Sequence, residues 1–149
     1  MLTRRLLLAA TAGALTATAA RAAPARALTV YKTPTCGCCG GWVAHMRRNG
    51  FAATVIEQAD LTPVRRRLGV PDAVVSCHTA VIDGYALEGH VPATDILRLL
   101  AERPQAAGLA VPGMPLGSPG MEVPDGTRDA FDTLLILRDG RTRVFARHR

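Results

Sequence analysis

The chain has 149 residues, of which 48% are hydrophobic and 20% charged, with a formal net charge of +6 and four cysteines. This length suits one domain with a core of its own. The apolar content excludes a disordered chain, and four cysteines in so long a chain exclude a disulfide-dense miniprotein.

The first 22 residues have the composition of an export signal. Arg4 and Arg5 precede three leucines, and an Ala/Thr-rich stretch with small residues at its end follows. A charged start, an apolar middle and a small-residue cleavage site are typical of a secretory signal. The arginine pair resembles a twin-arginine signal, with an ordinary positive start as the alternative. We expect an export signal at 1–22, an unstructured leader at 23–27, and a periplasmic domain at 28–149 with no membrane span.

The basic residues are mostly arginine, since Lys32 is the one lysine. Arg65, Arg66 and Arg67 form the one basic run, and the aromatic residues are scattered elsewhere. A nucleic-acid surface combines several such runs with aromatic side chains for stacking. We therefore predict no nucleic-acid partner.

Alternating strand and helix patterns follow in chain order. The predicted elements are a strand at 28–31, a helix with Cys39, Trp42, Val43 and Met46 on its buried face and its end near Asn49-Gly50, a strand at 53–56, a short helix from Thr62-Pro63 to Gly69, a hairpin of 79–82 and 85–87 around Asp83-Gly84, and a helix from Pro92 with Ala93, Ile96, Leu97 and Leu100 inward. The order β-α-β-α-β-β-α is the plan of a thioredoxin-like α/β domain.

The remainder of the chain predicts a loop and a second hairpin. The stretch from Gly108 to Gly126 is rich in glycine and proline, which argues against a regular helix or a central strand. Residues 134–137 and 143–145 flank Asp139-Gly140, which favours a hairpin that extends the sheet.

Three cysteines lie between the first predicted strand and helix, in Cys36-Gly37-Cys38-Cys39. A helix N-terminus favours the thiolate, the form that attacks disulfides and binds metals. A structural disulfide is a further reading, and the pairings open to it are Cys36 with Cys39 or one of the three with Cys77, because closer bridges are strained.

The fourth cysteine, Cys77, precedes the third predicted strand and is followed by His78. In thioredoxin-like proteins this position lies beside the C-x-x-C turn, where a cis-proline is usual; here Cys77 or His78 replaces it. Four thiolates with an imidazole or a thioether form a soft set that suits Cu(I) or, alternatively, Zn(II).

Met114 and Met121 lie in the Gly/Pro-rich loop, where no apolar periodicity accounts for them. Each is a candidate thioether ligand, which favours copper over zinc, with a core-filling role as the alternative. Met46 fits the buried helix face and is assigned to the core.

The sequence ranks the four histidines as candidate metal ligands. His78, beside Cys77, is the strongest candidate, and His90, just before a predicted helix, is the next. His45 is expected on the solvated side of the first helix, and His148 in a mobile C-terminal tail.

Three segments carry a family resemblance: TPTCGCCGGWVAHM, LGVPDAVVSCHTAVIDGYALEGHVPATDILRLLAERP and GLAVPGMPLGSPGME. Together they resemble the CopG-like family of exported bacterial metal-binding proteins, which is associated with copper resistance. The resemblance runs from about Leu28 to the C-terminal hairpin. It implies a thioredoxin-like fold, a periplasmic location and copper handling at the clustered cysteines. The positions that match family motifs are Cys36, Cys38, Cys39, Cys77, His78, His90, Met114 and Met121.

The leading functional prediction is a periplasmic protein that holds Cu(I), as one ion or a multinuclear cluster, in copper resistance or homeostasis. Its expected partners are copper ions and other periplasmic copper-handling proteins. The alternative is a thiol-disulfide or copper-coupled oxidoreductase in which Cys36 attacks and Cys39 resolves. A zinc-stabilised or disulfide-stapled interaction module is the third class. Signatures of hydrolases and nucleotide-binding proteins are absent from the sequence.

Overall fold

A computed structural model describes residues 25–149, so the predicted export signal at 1–22 lies outside the described residues. The elements of the described part are β1 (Arg26–Lys32), α1 (Cys38–Arg48), β2 (Phe51–Glu57), α2 (Thr62–Leu68), a 3₁₀ turn (Asp72–Val74), β3 (His78–Ile82), β4 (Tyr85–Glu88), α3 (Ala93–Glu102), β5 (Ala106–Ala110), β6 (Phe131–Leu137) and β7 (Thr142–His148). Among the helices in this range, none is long and apolar enough to cross a membrane.

The seven strands form one mixed sheet in the order β2-β1-β3-β4-β5-β6-β7. β1 runs parallel to β2 and β4 parallel to β5, and the other neighbouring pairs are antiparallel. The two parallel pairs are joined by crossovers that contain α1 and α3, as parallel pairing requires. The mixed α/β class is thereby confirmed, and β1 to α3 follow the predicted order.

Apolar side chains pack on both faces of the sheet. Leu87 and Leu135 belong to the larger core cluster, which also takes residues from α1 and α3, whereas the adjacent Ala86 and Ile136 belong to the smaller one. Because successive strand residues point to opposite faces, the two clusters lie on opposite sides of the sheet.

Both predicted hairpins are present. Asp83 and Gly84 have φ values of 48° and 83° and connect β3 to β4, as expected for a two-residue turn whose central residues are left-handed. The second hairpin, β6 with β7, extends the sheet to its edge. The predicted buried face of α1, including Met46, is also confirmed.

Two predictions about the later elements were wrong. Gly108 lies inside β5, which is a central strand between β4 and β6, so the irregular stretch begins only after Ala110. Glycine is suitable there because a Cβ at position 108 would collide with the backbone of Ala86 on β4. In α3, Leu99 is buried and Leu97 is 41% exposed, since the helix turns the 96/99/100 stripe toward the sheet.

Several further residues lie elsewhere than expected. Arg26 and Ala27, assigned to the leader, pair with β2 as part of β1. His148 lies in β7 rather than in a tail, with its Nε2 2.9 Å from the Asp95 carboxylate and its ring stacked on Phe131. His45 is half-buried rather than fully solvated.

The close approach of β4 and β5 is tested by Gly108→Ala. The added methyl group has no space against Ala86, so we expect the free energy of unfolding to fall by roughly 2 kcal/mol or more. Gly40→Ala is the control, because its Cβ would meet open space within α1 and we expect no loss, or a gain of up to about 1 kcal/mol. Urea unfolding followed by circular dichroism measures both, and an equal effect of the two substitutions would contradict the packing described.

Candidate functional site

The register of β1 against β3 brings two distant segments together. Lys32, the last residue of β1, pairs with His78, the first residue of β3. The segment after β1 carries Cys36, Cys38 and Cys39, and Cys77 immediately precedes β3. The four Sγ atoms consequently lie within 4.8 Å of one another.

The four sulfurs fall into two pairs. Cys36 and Cys39 are joined by a disulfide, with their Cα atoms 5.6 Å apart, which is one of the pairings that the sequence left open. Cys38 and Cys77 are free thiols. The Sγ of Cys38 lies 3.7 Å from that of Cys36 and 3.8 Å from that of Cys77, so it contacts one member of the disulfide and the other free thiol.

Two imidazoles converge on Cys77. Its Sγ is 3.2 Å from Nδ1 of His78 and 3.0 Å from Nε2 of His90. Nδ1 of His90 lies 2.9 Å from the carbonyl oxygen of Pro119, which can only accept, so this nitrogen carries the proton. Nε2 of His90 therefore presents its lone pair to Cys77. Such a bond on the second ring nitrogen orients an imidazole that ligates a metal.

Burial sets the charges of this group. Burial, followed by the charge of Cys38, raises the pKa of the Cys77 thiol to about 12. Burial, with smaller contributions from His90 and Arg65, lowers the pKa of His78 to about 3. Burial also lowers the pKa of His90. The site is therefore neutral at Cys77 and at both imidazoles near pH 7, and both rings are in the form that can ligate a metal.

His78 has a further unusual feature. Its ring packs against the ring of Trp42, with the centroids 4.4 Å apart, and against that of His90, with the centroids 5.1 Å apart. Its Nε2 is buried and has no hydrogen-bond partner in the described part of the chain. An unpaired buried nitrogen costs free energy, and such costs are concentrated at functional sites.

The Gly/Pro-rich loop between β5 and β6 covers this cluster. Ser76 Oγ donates to the carbonyl oxygen of Gly113, and the Sδ of Met114 is 3.8 Å from the Sγ of Cys38. Gly120, with φ of +88°, lies directly on the backbone of Trp42, where a Cβ would collide. The loop thereby adds a thioether to the sulfur cluster.

The structure places the two loop methionines differently. Met114 is 52% exposed and touches Cys38, whereas Met121 is half-buried and none of the described contacts joins its thioether to a cysteine. Backbone bonds with Ser118 and Gly117 instead hold Met121 in the loop. The other predicted site residues are brought together: Cys36, Cys38, Cys39, Cys77, His78, His90 and Met114.

A buried ion pair supports the site and was missed in the sequence. Glu88 is fully buried at the end of β4 and accepts from Arg65 on α2, whose Nη2 is 2.9 Å from its carboxylate. The same carboxylate accepts from the backbone N–H of Ser76 at 2.7 Å, and Arg65 donates to the carbonyl oxygen of Ser76 at 2.7 Å. The pair thus fixes the backbone beside Cys77. The available signal was a carboxylate at the end of an otherwise apolar strand.

The chain is similar to one family model and to two solved structures. A family model described as "Protein of unknown function, DUF411" matches residues 74–121, from just before Cys77 through Met121. Two solved structures, forms 1 and 2 of the copper resistance protein CopG, are 49% and 48% identical to the chain, each with a TM-score of 0.78. Each match covers 83% of this chain, and 97% and 98% of the respective solved chains. No match was found among curated proteins.

Fold and site together define a mixed α/β protein with a sulfur-rich candidate metal centre. At this identity and coverage, the chain belongs to the CopG family of copper resistance proteins.

The supporting role of the ion pair is tested by Arg65→Gln. Removal of the guanidinium leaves the Glu88 carboxylate buried without its cation, so we expect the free energy of unfolding to fall by about 3 kcal/mol. Arg66→Gln, on the exposed face of the same helix, is the matched control and should change it by no more than about 0.5 kcal/mol. Equal effects in urea unfolding would show that the pair does not support this region.

Proposed function

We propose that the protein binds Cu(I) through the thiolates of Cys36, Cys38, Cys39 and Cys77 and acts in copper resistance or homeostasis. One observation carries this proposal. Four Sγ atoms, contributed by two segments far apart in the sequence, lie within 4.8 Å of one another. Loop closure alone does not account for three thiols within four residues, because so short a loop removes little entropy from the unfolded chain.

Copper is favoured over zinc by the chemistry of the donors. Thiolate and thioether sulfurs are soft ligands that select Cu(I), and the thioether of Met114 lies beside Cys38. Membership of a family of copper resistance proteins supports the same choice. Zinc, bound by thiolates with an imidazole, is the alternative.

More than one copper ion is part of the proposal. Cys38 contacts both Cys36 and Cys77, which places it to bridge metal ions, and His78 and His90 add nitrogen donors on the side of Cys77. One Cu(I) ion cannot readily use all of these donors, whereas a small cluster with bridging sulfurs can.

The redox state of the cysteines controls this capacity. With Cys36 and Cys39 joined in a disulfide, Cys38 and Cys77 are the thiols that remain to bind metal. Two-electron reduction of the disulfide restores the full set of four. Binding also displaces the proton of Cys77, since the thiolate is the metal ligand.

The location and the finer fold assignment belong to the same proposal. A thioredoxin-like domain is supported by the order of the elements from β1 to α3 and by the C-x-x-C pair at the start of α1. A periplasmic location, with exchange of copper with other periplasmic copper-handling proteins, is supported by the signal-like residues 1–22 and by the family.

An anaerobic Cu(I) titration against a competing chelator tests the proposal. We expect the fully reduced protein to bind more Cu(I), and more tightly, than protein that keeps the Cys36–Cys39 disulfide. Cys38→Ser should lower the stoichiometry, because it removes the sulfur that contacts both Cys36 and Cys77. Unchanged stoichiometry and affinity in Cys38→Ser would contradict a cluster. Displacement of bound Cu(I) from the protein by added zinc would favour a zinc site.

The loop methionines provide a second test. Met114→Leu should weaken Cu(I) binding severalfold, because it removes the thioether that the exposed Met114 side chain places beside Cys38. Met121→Leu is the matched control in the same loop and should leave the affinity unchanged. Chelator competition measures both, and loss of affinity in Met121→Leu alone would reverse the assignment.

A thiol oxidoreductase is the second candidate, and the Cys36–Cys39 disulfide favours it. Cys39 is fully buried whereas Cys36 is half-buried, which suits Cys36 as the attacking thiol and Cys39 as the resolving one. Cys36→Ser should then abolish turnover of a model disulfide. Turnover at the rate of the unsubstituted protein would remove this candidate.

A further inference from the structure

The two free thiols form a pair in their own right. Cys38 and Cys77 are 39 residues apart in sequence, and their Sγ atoms touch at 3.8 Å. Neither is fully buried, and both remain reduced beside the Cys36–Cys39 disulfide. The cluster therefore holds a second potential redox couple in addition to the C-x-x-C pair.

We propose that Cys38 and Cys77 are a second redox pair, which Cu(II) oxidises to a disulfide. The inference rests on the proposed copper-handling function for its oxidant, and assigns to these two residues a role distinct from that of Cys36 and Cys39. Two Cu(II) ions each accept one electron, one S–S bond forms, and the products are two Cu(I) ions, one disulfide and two protons.

The surroundings of the two sulfurs suit this reaction. Nδ1 of His78 and Nε2 of His90 are within hydrogen-bond distance of the Cys77 sulfur, and His90 Nε2 carries the lone pair that can accept the Cys77 proton. Cys38 releases its proton to solvent, because it is half-exposed at the first residue of α1.

The two sulfurs, now 3.8 Å apart, must approach to about 2 Å to form the bond. The Cys77 backbone is fixed through its neighbour Ser76, which binds both Arg65 and Glu88. Cys38 has more freedom, because the preceding Gly37 is exposed, with no atom within 4 Å of a Cβ placed there. We therefore assign the closing movement to Cys38 rather than to Cys77.

Closure of this bond also changes the metal site. In protein that already has the Cys36–Cys39 disulfide, it removes the last two thiols from the cluster. The Cu(I) formed would then lose its thiolate ligands and be released. The four cysteines together could supply four electrons, two from each pair.

The experiment uses anaerobic Cu(II) and a Cu(I)-specific chromogenic chelator. The double variant Cys36→Ser/Cys39→Ser retains the second pair alone, and we expect two Cu(I) per chain with loss of both thiols. After trypsin digestion, a disulfide should link the peptide of residues 33–47 to that of residues 68–98. A further Cys38→Ser change to this variant leaves a single thiol, and both the cross-linked peptide and the second Cu(I) should disappear.

The outcomes separate this inference from the copper-binding proposal. Retention of both thiols, or a disulfide between two chains on non-reducing electrophoresis, would overturn the inference even if the reduced protein binds Cu(I) tightly. An intrachain Cys38–Cys77 disulfide in a protein that binds Cu(I) weakly would support the inference and contradict the binding proposal. The unsubstituted protein, oxidised at Cys36 and Cys39 beforehand, should give the same two Cu(I) per chain. This result would show that the serine substitutions do not create the reactivity.

Discussion

The antiparallel register between β1 and β3 is the constraint on which the site depends. Pairing of Lys32 with His78 brings the residues after β1 and those before β3 to the same end of the sheet. A shift of one residue would turn the side chains of β3 to the opposite face. His78 would then leave Trp42 and His90, so the hydrophobic packing of β3 and the assembly of the site are selected together.

Three further contacts reinforce this arrangement. The buried Arg65–Glu88 pair holds the backbone of Ser76, the loop closes over the cysteines through Gly113 and Gly120, and Pro119 orients His90. None of them acts on the sulfurs themselves. The site thus has a rigid side, around Cys77, and a more open side, around Cys38 and Met114.

Local patterns in the sequence predict much of the fold. The apolar spacing of α1, the Asp83-Gly84 turn and the hairpin around Asp139-Gly140 each depend on residues close together in the chain, and each was predicted correctly. The prediction failed at Gly108, because what makes glycine suitable in β5 is the proximity of Ala86 on another strand. His148 was misplaced for the same reason, since its partner Asp95 lies on α3.

Much of the candidate site was also predictable, because a C-x-C-C cluster is itself a chemical signal. Its depth was not. Composition alone could not distinguish Met114, which touches Cys38, from Met121, which does not, or single out Arg65 from a run of three arginines. These distinctions depend on distances across the fold, which the sequence alone does not provide.

The central claim is that Cys77 and the three cysteines of the α1 segment act on copper as one site. Alkylation of the reduced protein, with and without Cu(I), followed by mass spectrometry of each cysteine, tests it most directly. We predict that Cu(I) protects Cys77 in parallel with Cys36, Cys38 and Cys39. Modification of Cys77 at the metal-free rate, while the other three are protected, would contradict the account.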